Sequence, residues 1–338
     1  MTLACILGIA GPTVTNEELD LFREVQPWGF ILFGRNIETP EQVRSLTDLL
    51  RGSVAHPEAP VLIDQEGGRV QRLKQPNWPT YPPARAFGAM RGSLEDRSRW
   101  ARLNARLIAA DLIDVGITVN CAPVADTPVA GAHDVIGDRA YAETPDEVAA
   151  LARAAAEGFM AGGIIPVIKH IPGHGRALVD SHERLPRVAA TEAELAAFDF
   201  APFAALSDMP AAMTAHVVYE SIDRKRPATT SRRVLGGYVR GIIGFNGLLI
   251  SDDLSMKALD GDLGSRARAA QGAGCDVVLH CNGDMVEMRA VTAAVRPLKG
   301  ASARRAAAAL ARRPRRVETV DIERARARLS AAIGRGVA

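Results

Sequence analysis

The sequence predicts an α/β protein folded as a single (β/α)8 barrel of the TIM type, and three observations support that prediction. A chain of 338 residues, of which 47% are hydrophobic, is long enough to bury one large core. Eight short apolar runs alternate with longer segments of helical period, and polar side chains follow most of these runs. Such an alternation indicates parallel strands joined by helices, although a doubly wound open sheet would show a similar order.

Each predicted strand is a short run rich in Val, Ile and Leu. The eight runs are residues 4–10, 29–34, 60–66, 116–124, 164–173, 211–217, 247–253 and 275–281. The helices predicted between them include residues 40–52, 96–114, 146–162, 192–207 and 284–296. Because no change of composition interrupts this series, we expect residues 1–300 to form one barrel domain.

Polar side chains lie at the C-terminal ends of the predicted strands. They are Arg35, Asn36, Asp64, Asp126, Lys169, His170, His216, Asp252 and Asp253. A single residue of this kind is more often a cap or a turn residue than a functional group. In a closed barrel, however, the C-terminal strand ends meet at one mouth, where active sites are built. The repetition along the chain therefore favours the barrel and predicts a site at its mouth.

The C-terminal segment, residues 301–338, differs from the rest of the chain in its charge. It holds ten arginines against Glu318, Asp321 and Glu323, a local excess of +7, whereas the whole chain has a net charge of +2. The arginines alternate with alanines and not with aromatic residues, which favours a basic helical appendage over a polyanion-binding arm. We expect this extension to pack on the barrel or to trail from it, and we expect no nucleic-acid partner.

Cysteine usage and the N-terminal segment bear on the cellular location. Cys5, Cys121, Cys275 and Cys281 lie in apolar runs without CxxC spacing, so reduced thiols explain them better than disulfides or a zinc site. The N-terminal segment lacks the basic region of a signal peptide, and no run approaches the roughly 20 apolar residues of a membrane span. We therefore expect a cytoplasmic protein, a monomer, without a membrane partner.

The segment KHIPGHGRALVDSHERLP, residues 169–186, follows the fifth predicted strand and is the most informative part of the sequence. Asp180 and His182 are two residues apart, so the carboxylate can fix the imidazole tautomer and raise its basicity. This spacing predicts a general acid/base. Few large apolar side chains lie in residues 173–182, so we also expect this loop to be mobile.

A metal site is the alternative interpretation of the same segment. His170, His174 and His182, with nearby aspartates, are residue types that bind transition metals. Their spacing matches neither HExxH nor a paired HxH, and the cation Lys169 would lie beside the metal. The sequence therefore favours proton transfer and predicts no metal.

The segment GLLISDDLSMKAL, residues 247–259, is a predicted buried strand that ends in Asp252 and Asp253. Since side chains alternate along a strand, at most one of the two carboxylates points into the mouth. A carboxylate there, close to an acid/base, is suited to attack the anomeric carbon of a sugar. Asp253 is also explained as a carboxylate at a helix N-terminus.

The segment VLIDQEGGRVQRLK, residues 61–74, places Asp64 at a strand end, turns at two glycines and then offers Arg69 and Arg72. A carboxylate and a guanidinium near the mouth can bind neighbouring hydroxyl groups of a pyranose. A glycine turn followed by basic residues would equally suit a phosphate. On its own, this segment leaves a neutral sugar and a phosphosugar open.

Together these segments resemble the family 3 glycoside hydrolases, and within them the cytoplasmic β-N-acetylglucosaminidases of bacterial cell-wall recycling. The motifs KHIPGHG…DSH, IDQEGGRVQRL, IGDRAY and SDDLSM carry the resemblance, which covers residues 5–295. It implies that Asp252 is the nucleophile, His182 the acid/base and Asp180 its partner. It also implies that no cofactor is needed and that substrate is bound by Asp64, Arg72, Arg139, Lys169 and His170.

The activity implied by the resemblance is that of a retaining exo-β-N-acetylglucosaminidase with a covalent glycosyl-aspartate intermediate. The expected substrate is a small molecule, N-acetylglucosaminyl-1,6-anhydromuramic acid with or without peptide, encountered in peptidoglycan recycling. With only 5% aromatic residues, sugar recognition is expected to depend on charged hydrogen bonds more than on stacking. Phosphorolysis at the same site, a metal-dependent barrel hydrolase and a non-catalytic sugar sensor are the alternatives.

Overall fold

Eight parallel strands form a closed barrel in the computed structural model, which describes residues 1–314 and 316–336. In chain order the strands are β1 (Leu3–Gly8), β2 (Pro27–Leu32), β3 (Val61–Ile63), β4 (Val119–Asn120), β5 (Ile165–Ile171), β6 (Ala211–Thr214), β7 (Leu248–Asp253) and β8 (Val277–His280). Each strand pairs with the next, and β8 pairs with β1. The predicted barrel is confirmed, and the open-sheet alternative is wrong.

Every predicted apolar run overlaps one barrel strand, but β1 and β2 begin one and two residues before their runs, and most strands are shorter than the runs. The largest difference is at β4, which occupies two residues of the predicted run 116–124. Cys121, Ala122 and Val124 follow β4 and are buried although they are not part of the strand. Apolar composition indicates burial, whereas backbone pairing defines a strand, so the runs overestimate strand length at the crowded barrel mouth.

Helices cover the outside of the barrel, and four predicted helices are observed with similar bounds. These are Pro40–Gly52, Leu94–Asp114, Pro145–Ala161 and Met285–Ala294. The predicted helix 192–207 is instead broken into the α-helix Glu192–Glu194, the π-helix Leu195–Asp199 and the α-helix Ala201–Ala205. Further helices are Asn16–Val25, Arg85–Ala89, the π-helix Arg233–Ile242 and Leu263–Ala273.

Side-chain caps explain where several of these helices begin. The Thr15 hydroxyl accepts a hydrogen bond from Glu18 N at 3.2 Å, and the Glu18 carboxylate accepts one from Thr15 N at 2.8 Å. This reciprocal pair is a capping box, which satisfies backbone donors that a helix leaves free. Ser93 caps the following long helix through Asp96 N at 3.1 Å.

The interior of the barrel is filled by side chains. Alternate strand residues supply the filling, namely Ile6, Ile31, Leu62, Val119, Val167, Met213, Ile250 and Leu279. All of these side chains are buried, so the barrel has a solid core and no channel along its axis. A ligand can therefore enter only at the mouth, where the strands end and the loops begin.

The C-terminal segment is helical, with helices Gly300–Ala311 and Ile322–Gly336. Ala306 and Ala309 of the first helix pack into the same cluster as the inner strand residues, which places this helix against the N-terminal end of the barrel. Ser302 Oγ and Arg305 Nη1 bind Asp276 at 2.7 and 3.1 Å. The division into a domain 1–300 and an extension 301–338 stays a prediction.

Two short strands outside the barrel, Arg187–Val188 and Val218–Tyr219, pair in parallel beside the mouth and were not predicted. Each comprises two residues, too few to show an alternating pattern. The four cysteines are buried free thiols, as expected. Within residues 1–314 and 316–336, no helix is long and apolar enough to span a membrane.

Candidate active site

A pocket of about 260 Å³ opens at the C-terminal mouth of the barrel. Its lining contains seven of the eight residues that the sequence analysis proposed for the site, namely Asp64, Arg72, Arg139, Lys169, His170, His182 and Asp252. The eighth, Asp180, lies behind His182 and does not line this pocket. Residues separated by almost 190 positions in sequence therefore meet at one place because four different strands, β3, β4, β5 and β7, or the loops that follow them, end there.

The two neighbouring carboxylates at the end of β7 differ in their partners. The Asp253 carboxylate accepts hydrogen bonds from Ser255 N and Cys281 N, both at 3.1 Å, and from Ser255 Oγ. The Asp252 carboxylate accepts one, from Asp253 N to Oδ1 at 2.8 Å. Among the described residues, no group bonds to Asp252 Oδ2, and the side chain faces the pocket. The structural role considered for Asp253 agrees with these contacts.

Asp252 is ionised at neutral pH. Burial alone would raise the pKa of its carboxyl group, but the nearby His216 and His170 rings and the Asp253 N–H together hold the pKa below its usual range. No arginine or lysine forms an ion pair with Asp252 in the part of the chain that the structure describes. An ionised carboxylate with one free oxygen and no cationic partner retains its capacity to act as a nucleophile.

A ring of hydrogen bonds fixes the backbone on which Asp252 lies. Asp252 N donates to Thr214 Oγ1 at 3.3 Å, and Thr214 Oγ1 lies 2.8 Å from Thr229 Oγ1. His216 completes the ring, with Nδ1 2.7 Å from Thr229 Oγ1 and Nε2 2.9 Å from the Asp253 carbonyl oxygen. Since a carbonyl only accepts, Nε2 carries the proton, while the Thr229 hydroxyl lies between His216 Nδ1 and the Ala215 carbonyl oxygen, 3.1 Å away. Burial lowers the pKa of His216, which favours this neutral form.

Five alternating charges form the wall of the pocket opposite β7. Lys169 Nζ lies 2.8 Å from both Asp64 Oδ1 and Glu66 Oε1. At the two ends of the cluster, Arg72 Nη2 binds Asp64 Oδ2 at 3.2 Å and Arg139 binds Glu66 through two nitrogens at 2.9 Å each. Burial would raise the pKa of Glu66, but its two cations lower it to about 2. All five groups are therefore charged, and their orientation is fixed before a ligand arrives.

Glu66 and Asp126 belong to the site but were not among the proposed site residues. Asp126 is fully buried and accepts from His170 Nδ1 at 2.6 Å, His170 N at 3.2 Å and His174 N at 2.7 Å. With Nδ1 bound to Asp126, His170 has Nε2 left for a ligand. Two signals in the sequence were available: Glu66 lies two residues after Asp64, and Asp126 lies at a strand end.

Asp180 and His182 form the pair that their spacing predicted. Asp180 Oδ1 accepts from His182 N and lies 2.8 Å from His182 Nδ1. Burial would raise the pKa of Asp180, but the hydrogen bonds from the His182 backbone and ring lower it, so the carboxylate is charged. No group in residues 1–314 and 316–336 bonds to Nε2 of this ring, and 66% of the side chain is exposed. A histidine held in this way at a pocket wall can donate and accept a proton.

The three histidines considered as metal ligands have separate partners. His170 Nδ1 binds Asp126 at 2.6 Å, His174 Nε2 lies 3.1 Å from Ser181 Oγ, and His182 binds Asp180. No group of three or more potential ligands converges among the described residues. Burial lowers the pKa of His174 to about 4, so its ring is neutral. These contacts give each histidine a role in hydrogen bonding.

Comparison with known proteins gives a consistent result. The model of the glycosyl hydrolase family 3 N-terminal domain matches residues 11–320. The β-hexosaminidase of Alkalilimnicola ehrlichii is 39% identical over 285 residues, which cover 82% of this chain and 80% of that protein. The β-hexosaminidase of Pseudomonas aeruginosa PAO1 is 38% identical over 299 residues, covering 87% of this chain and 86% of that protein.

Two solved structures share the fold over almost the whole chain. Native NagZ from Neisseria gonorrhoeae superposes with a TM-score of 0.84 at 32% identity and covers 99% of this chain and 97% of that one. A family 3 β-N-acetylglucosaminidase from Paenibacillus sp. FPU-7 has a TM-score of 0.85 at 31% identity, covering 97% of this chain and 67% of that one.

Proposed function

The chain belongs to glycosyl hydrolase family 3, and from this premise we propose that it is a retaining exo-β-N-acetylglucosaminidase with Asp252 as nucleophile and His182 as acid/base. The observation that carries the proposal is the composition of one pocket. It combines an ionised carboxylate that has a free oxygen with a histidine oriented by the Asp180 carboxylate. The β-hexosaminidase names of the relatives support the same activity.

In the first step, Asp252 Oδ2 attacks the anomeric carbon while His182 Nε2 gives its proton to the departing glycosidic oxygen. Asp180 stabilises the imidazolium that is needed for this transfer, because its carboxylate binds Nδ1. In the second step, neutral His182 takes a proton from water, and the resulting hydroxide displaces Asp252 from the sugar. Two inversions at the same carbon retain the β configuration.

The cluster of fixed charges is suited to hold the sugar during both steps. Asp64 can accept from ring hydroxyl groups, while Arg72 and Lys169 can donate to them. His170 offers Nε2 to the same ring, with its orientation fixed by Asp126. These charged groups are already held in place by their mutual ion pairs. Binding of the sugar therefore displaces water without rearranging the protein groups.

For the substrate, we propose a muropeptide fragment, N-acetylglucosaminyl-1,6-anhydromuramic acid with or without peptide, as in peptidoglycan recycling, so that the anhydromuramic acid part is the leaving group. Such a fragment carries carboxylates, and the rim of the pocket offers a cation for them. The Arg35 guanidinium lies 5.0 Å from the centre of the Phe33 ring, and its Nε donates to Ile9 O at 2.9 Å. Its Nη2 donates to the Cys281 carbonyl, and no carboxylate lies within ion-pair distance of Arg35 among the described residues, so its Nη1 and its positive charge are available for an anionic aglycone.

The same proposal includes a small-molecule substrate, a monomer and a cytoplasmic location. The location is supported by the four buried, unpaired cysteines, which suit a reducing compartment. Phosphorolysis remains the second candidate because the proposed acid/base is an imidazole, which has no negative charge of its own to repel phosphate. Asp180 opposes this variant, since its carboxylate lies beside the ring and is charged. We therefore favour water as the acceptor.

A rate comparison tests the proposed activity. Turnover of p-nitrophenyl β-N-acetylglucosaminide should exceed that of the matching β-glucoside by at least about 100-fold. The glucoside lacks the acetamido group, so polar groups of the site that bind it would be left without a hydrogen-bond partner. Proton NMR of the first product should show the β anomer, and phosphate buffer should yield no sugar 1-phosphate. Equal rates on the two glycosides, or the α anomer as first product, would contradict the assignment.

A further inference from the structure

The loop that carries His182 is mostly buried in its first half, residues 173–177, and more exposed in its second half, residues 178–182, except at Ser181. In the first half, His174 is 3% exposed and Ala177 1%. In the second half, Leu178 is 66% exposed, as is the side chain of His182. The mobility expected for residues 173–182 stays a prediction. Contacts of the first half set the position from which the second half extends.

An ion pair outside the active-site pocket holds the first half of the loop. Arg176 Nε donates to Asp199 Oδ2 at 2.6 Å, and Asp199 is 2% exposed. The Arg176 guanidinium also lies 5.2 Å from the centre of the Phe198 ring. Phe198 and Asp199 are consecutive residues of the π-helix Leu195–Asp199, so this one helix holds Arg176 by charge and by ring contact.

The backbone of the loop fits closely against the same helix. A Cβ atom at Gly173 would lie 3.0 Å from both the Cβ and the carbonyl oxygen of Asp199, and Gly173 has a φ of 142°. The hydroxyl of Tyr219 donates to the Gly173 carbonyl. On the other side, a Cβ at Gly175 would lie 1.8 Å from the carbonyl oxygen of Thr127. The chain at residues 173–176 therefore has one close-packed position relative to Asp199.

The ion pair joins buried Asp199 to the partly exposed side chain of Arg176, and such a pair constrains geometry more than it adds stability. Removing two charges from water costs about as much as their attraction returns, and an apolar pair of similar size often stabilises a fold equally well. The bond from Nε requires one orientation of the Arg176 side chain, whereas apolar contacts would permit several. The contact is thus suited to fix a loop and not only to fill a space.

We propose that Asp199 is a positioning residue for the acid/base: through Arg176 it fixes the base of the loop from which Asp180 and His182 extend over the pocket. Asp199 itself does not line the pocket and does not contact the nucleophile. The inference rests on the proposed role of His182. In this proposal, the contact between Arg176 and Asp199, outside the pocket, determines how much of the time His182 lies near the glycosidic oxygen.

The test uses two substrates that differ in their need for an acid. The leaving group of a β-N-acetylglucosaminyl disaccharide is a sugar alkoxide, which requires protonation. The leaving group of a 2,4-dinitrophenyl β-N-acetylglucosaminide is a phenolate, which departs with little help. The ratio of kcat/KM values for the two reports on the acid during formation of the glycosyl-enzyme. Asp199→Asn should lower this ratio about 10-fold to 100-fold, the range expected when a catalytic group is misplaced.

Three further variants separate position from stability. Arg176→Lys keeps the positive charge, so its kcat/KM ratio should lie between those of the wild type and Asp199→Asn. The double variant Arg176→Met with Asp199→Leu should recover the melting temperature but not the ratio, because apolar packing does not fix the loop. Asp208→Asn is the control for loss of an arginine–aspartate pair elsewhere: it weakens the exposed pair with Arg153 at 2.7 Å, which lies away from the loop, and the ratio should not change.

The possible outcomes are distinct. An equal loss on both substrates in Asp199→Asn, or a ratio restored by the apolar double variant, would show a merely structural contact and overturn the proposal. An unchanged ratio in Asp199→Asn would overturn it as well. If the wild-type protein turned over neither glycoside, the proposed function would fail and this inference with it. A selective loss on the disaccharide alone supports the positioning role.

Discussion

Asp252 and Asp253 are consecutive residues of one strand, yet their carboxylates have opposite environments. Asp253 accepts hydrogen bonds from Ser255 and Cys281 and thereby links the ends of β7 and β8. Asp252 accepts one backbone N–H and turns its other oxygen to the pocket. The alternation of side chains along a strand produces this division, since only one of two neighbours can face the barrel mouth.

Substitution of the two aspartates should therefore have different effects. Asp252→Ala should lower kcat by at least about 1,000-fold, as expected for loss of a nucleophile, with little change in melting temperature. Asp253→Ala should instead destabilise the fold by about 1–3 kcal/mol, because it leaves buried donors unsatisfied. Steady-state kinetics and thermal unfolding of both variants provide the measurement. If Asp252→Ala kept a tenth of the wild-type activity, the nucleophile assignment would be wrong.

Sequence reasoning succeeded where the chemistry is local. Asp180 and His182 are two residues apart, so their spacing predicts their hydrogen bond, and Asp252 is the last residue but one of a strand that begins with an apolar run. It failed where a role depends on a distant partner. Glu66 belongs to the site because Arg139, 73 residues away, binds both of its oxygens. The position of Glu66 two residues after Asp64 is a local signal, but it does not show that a distant arginine binds the carboxylate.

The broken helix 192–207 shows the same limit. Its apolar spacing fits an ordinary α-helix, but the chain forms a π-helix at Leu195–Asp199. This geometry accompanies the burial of Asp199 against Arg176 and Gly173, contacts that come from a different loop. A π-helical turn widens the backbone locally and is frequent at functional sites. The apolar periodicity of one segment carries no information about contacts with residues of another segment.

The pH dependence of stability should reveal the buried His174 ring. Burial, aided by repulsion from His170, lowers the pKa of His174 to about 4 from an ordinary value of 6.5. The unfolded chain therefore binds a proton below pH 6.5 that the folded chain does not bind until about pH 4. The contribution of this group to the free energy of unfolding is fully present above pH 6.5. It falls by about 3 kcal/mol as the pH decreases from 6.5 to about 4.

Urea unfolding at several pH values would measure that loss. His174→Asn removes the titrating ring, so its free energy of unfolding should fall less steeply between pH 6.5 and 4 than that of the wild type. The histidines His216 and His280 are present in both proteins and serve as an internal control. Parallel pH profiles in the two proteins would mean that His174 binds its proton equally in the folded and unfolded states.

Activity should be independent of bound metal. His170, His174 and His182 each have one ring nitrogen committed to a different partner, so they are not arranged around a common centre. Exhaustive dialysis against a chelator should therefore leave kcat unchanged on p-nitrophenyl β-N-acetylglucosaminide. Loss of activity that Zn²⁺ or Mn²⁺ restores would instead favour the metal-dependent barrel hydrolase and remove the proton-transfer role of these rings.

The role of His182 should depend on the leaving group. His182→Ala removes the group that protonates the glycosidic oxygen, so kcat/KM for a disaccharide should fall by roughly 10² to 10⁴. A dinitrophenolate departs without protonation, and pre-steady-state formation of the glycosyl-enzyme from that substrate should therefore change much less. Breakdown of the intermediate should slow in both cases, because water also needs a base. Asp180→Asn should show the same pattern more weakly, since the ring remains but loses the carboxylate at Nδ1. An equal loss of glycosyl-enzyme formation on both substrates would mean that His182 positions the sugar and is not the acid.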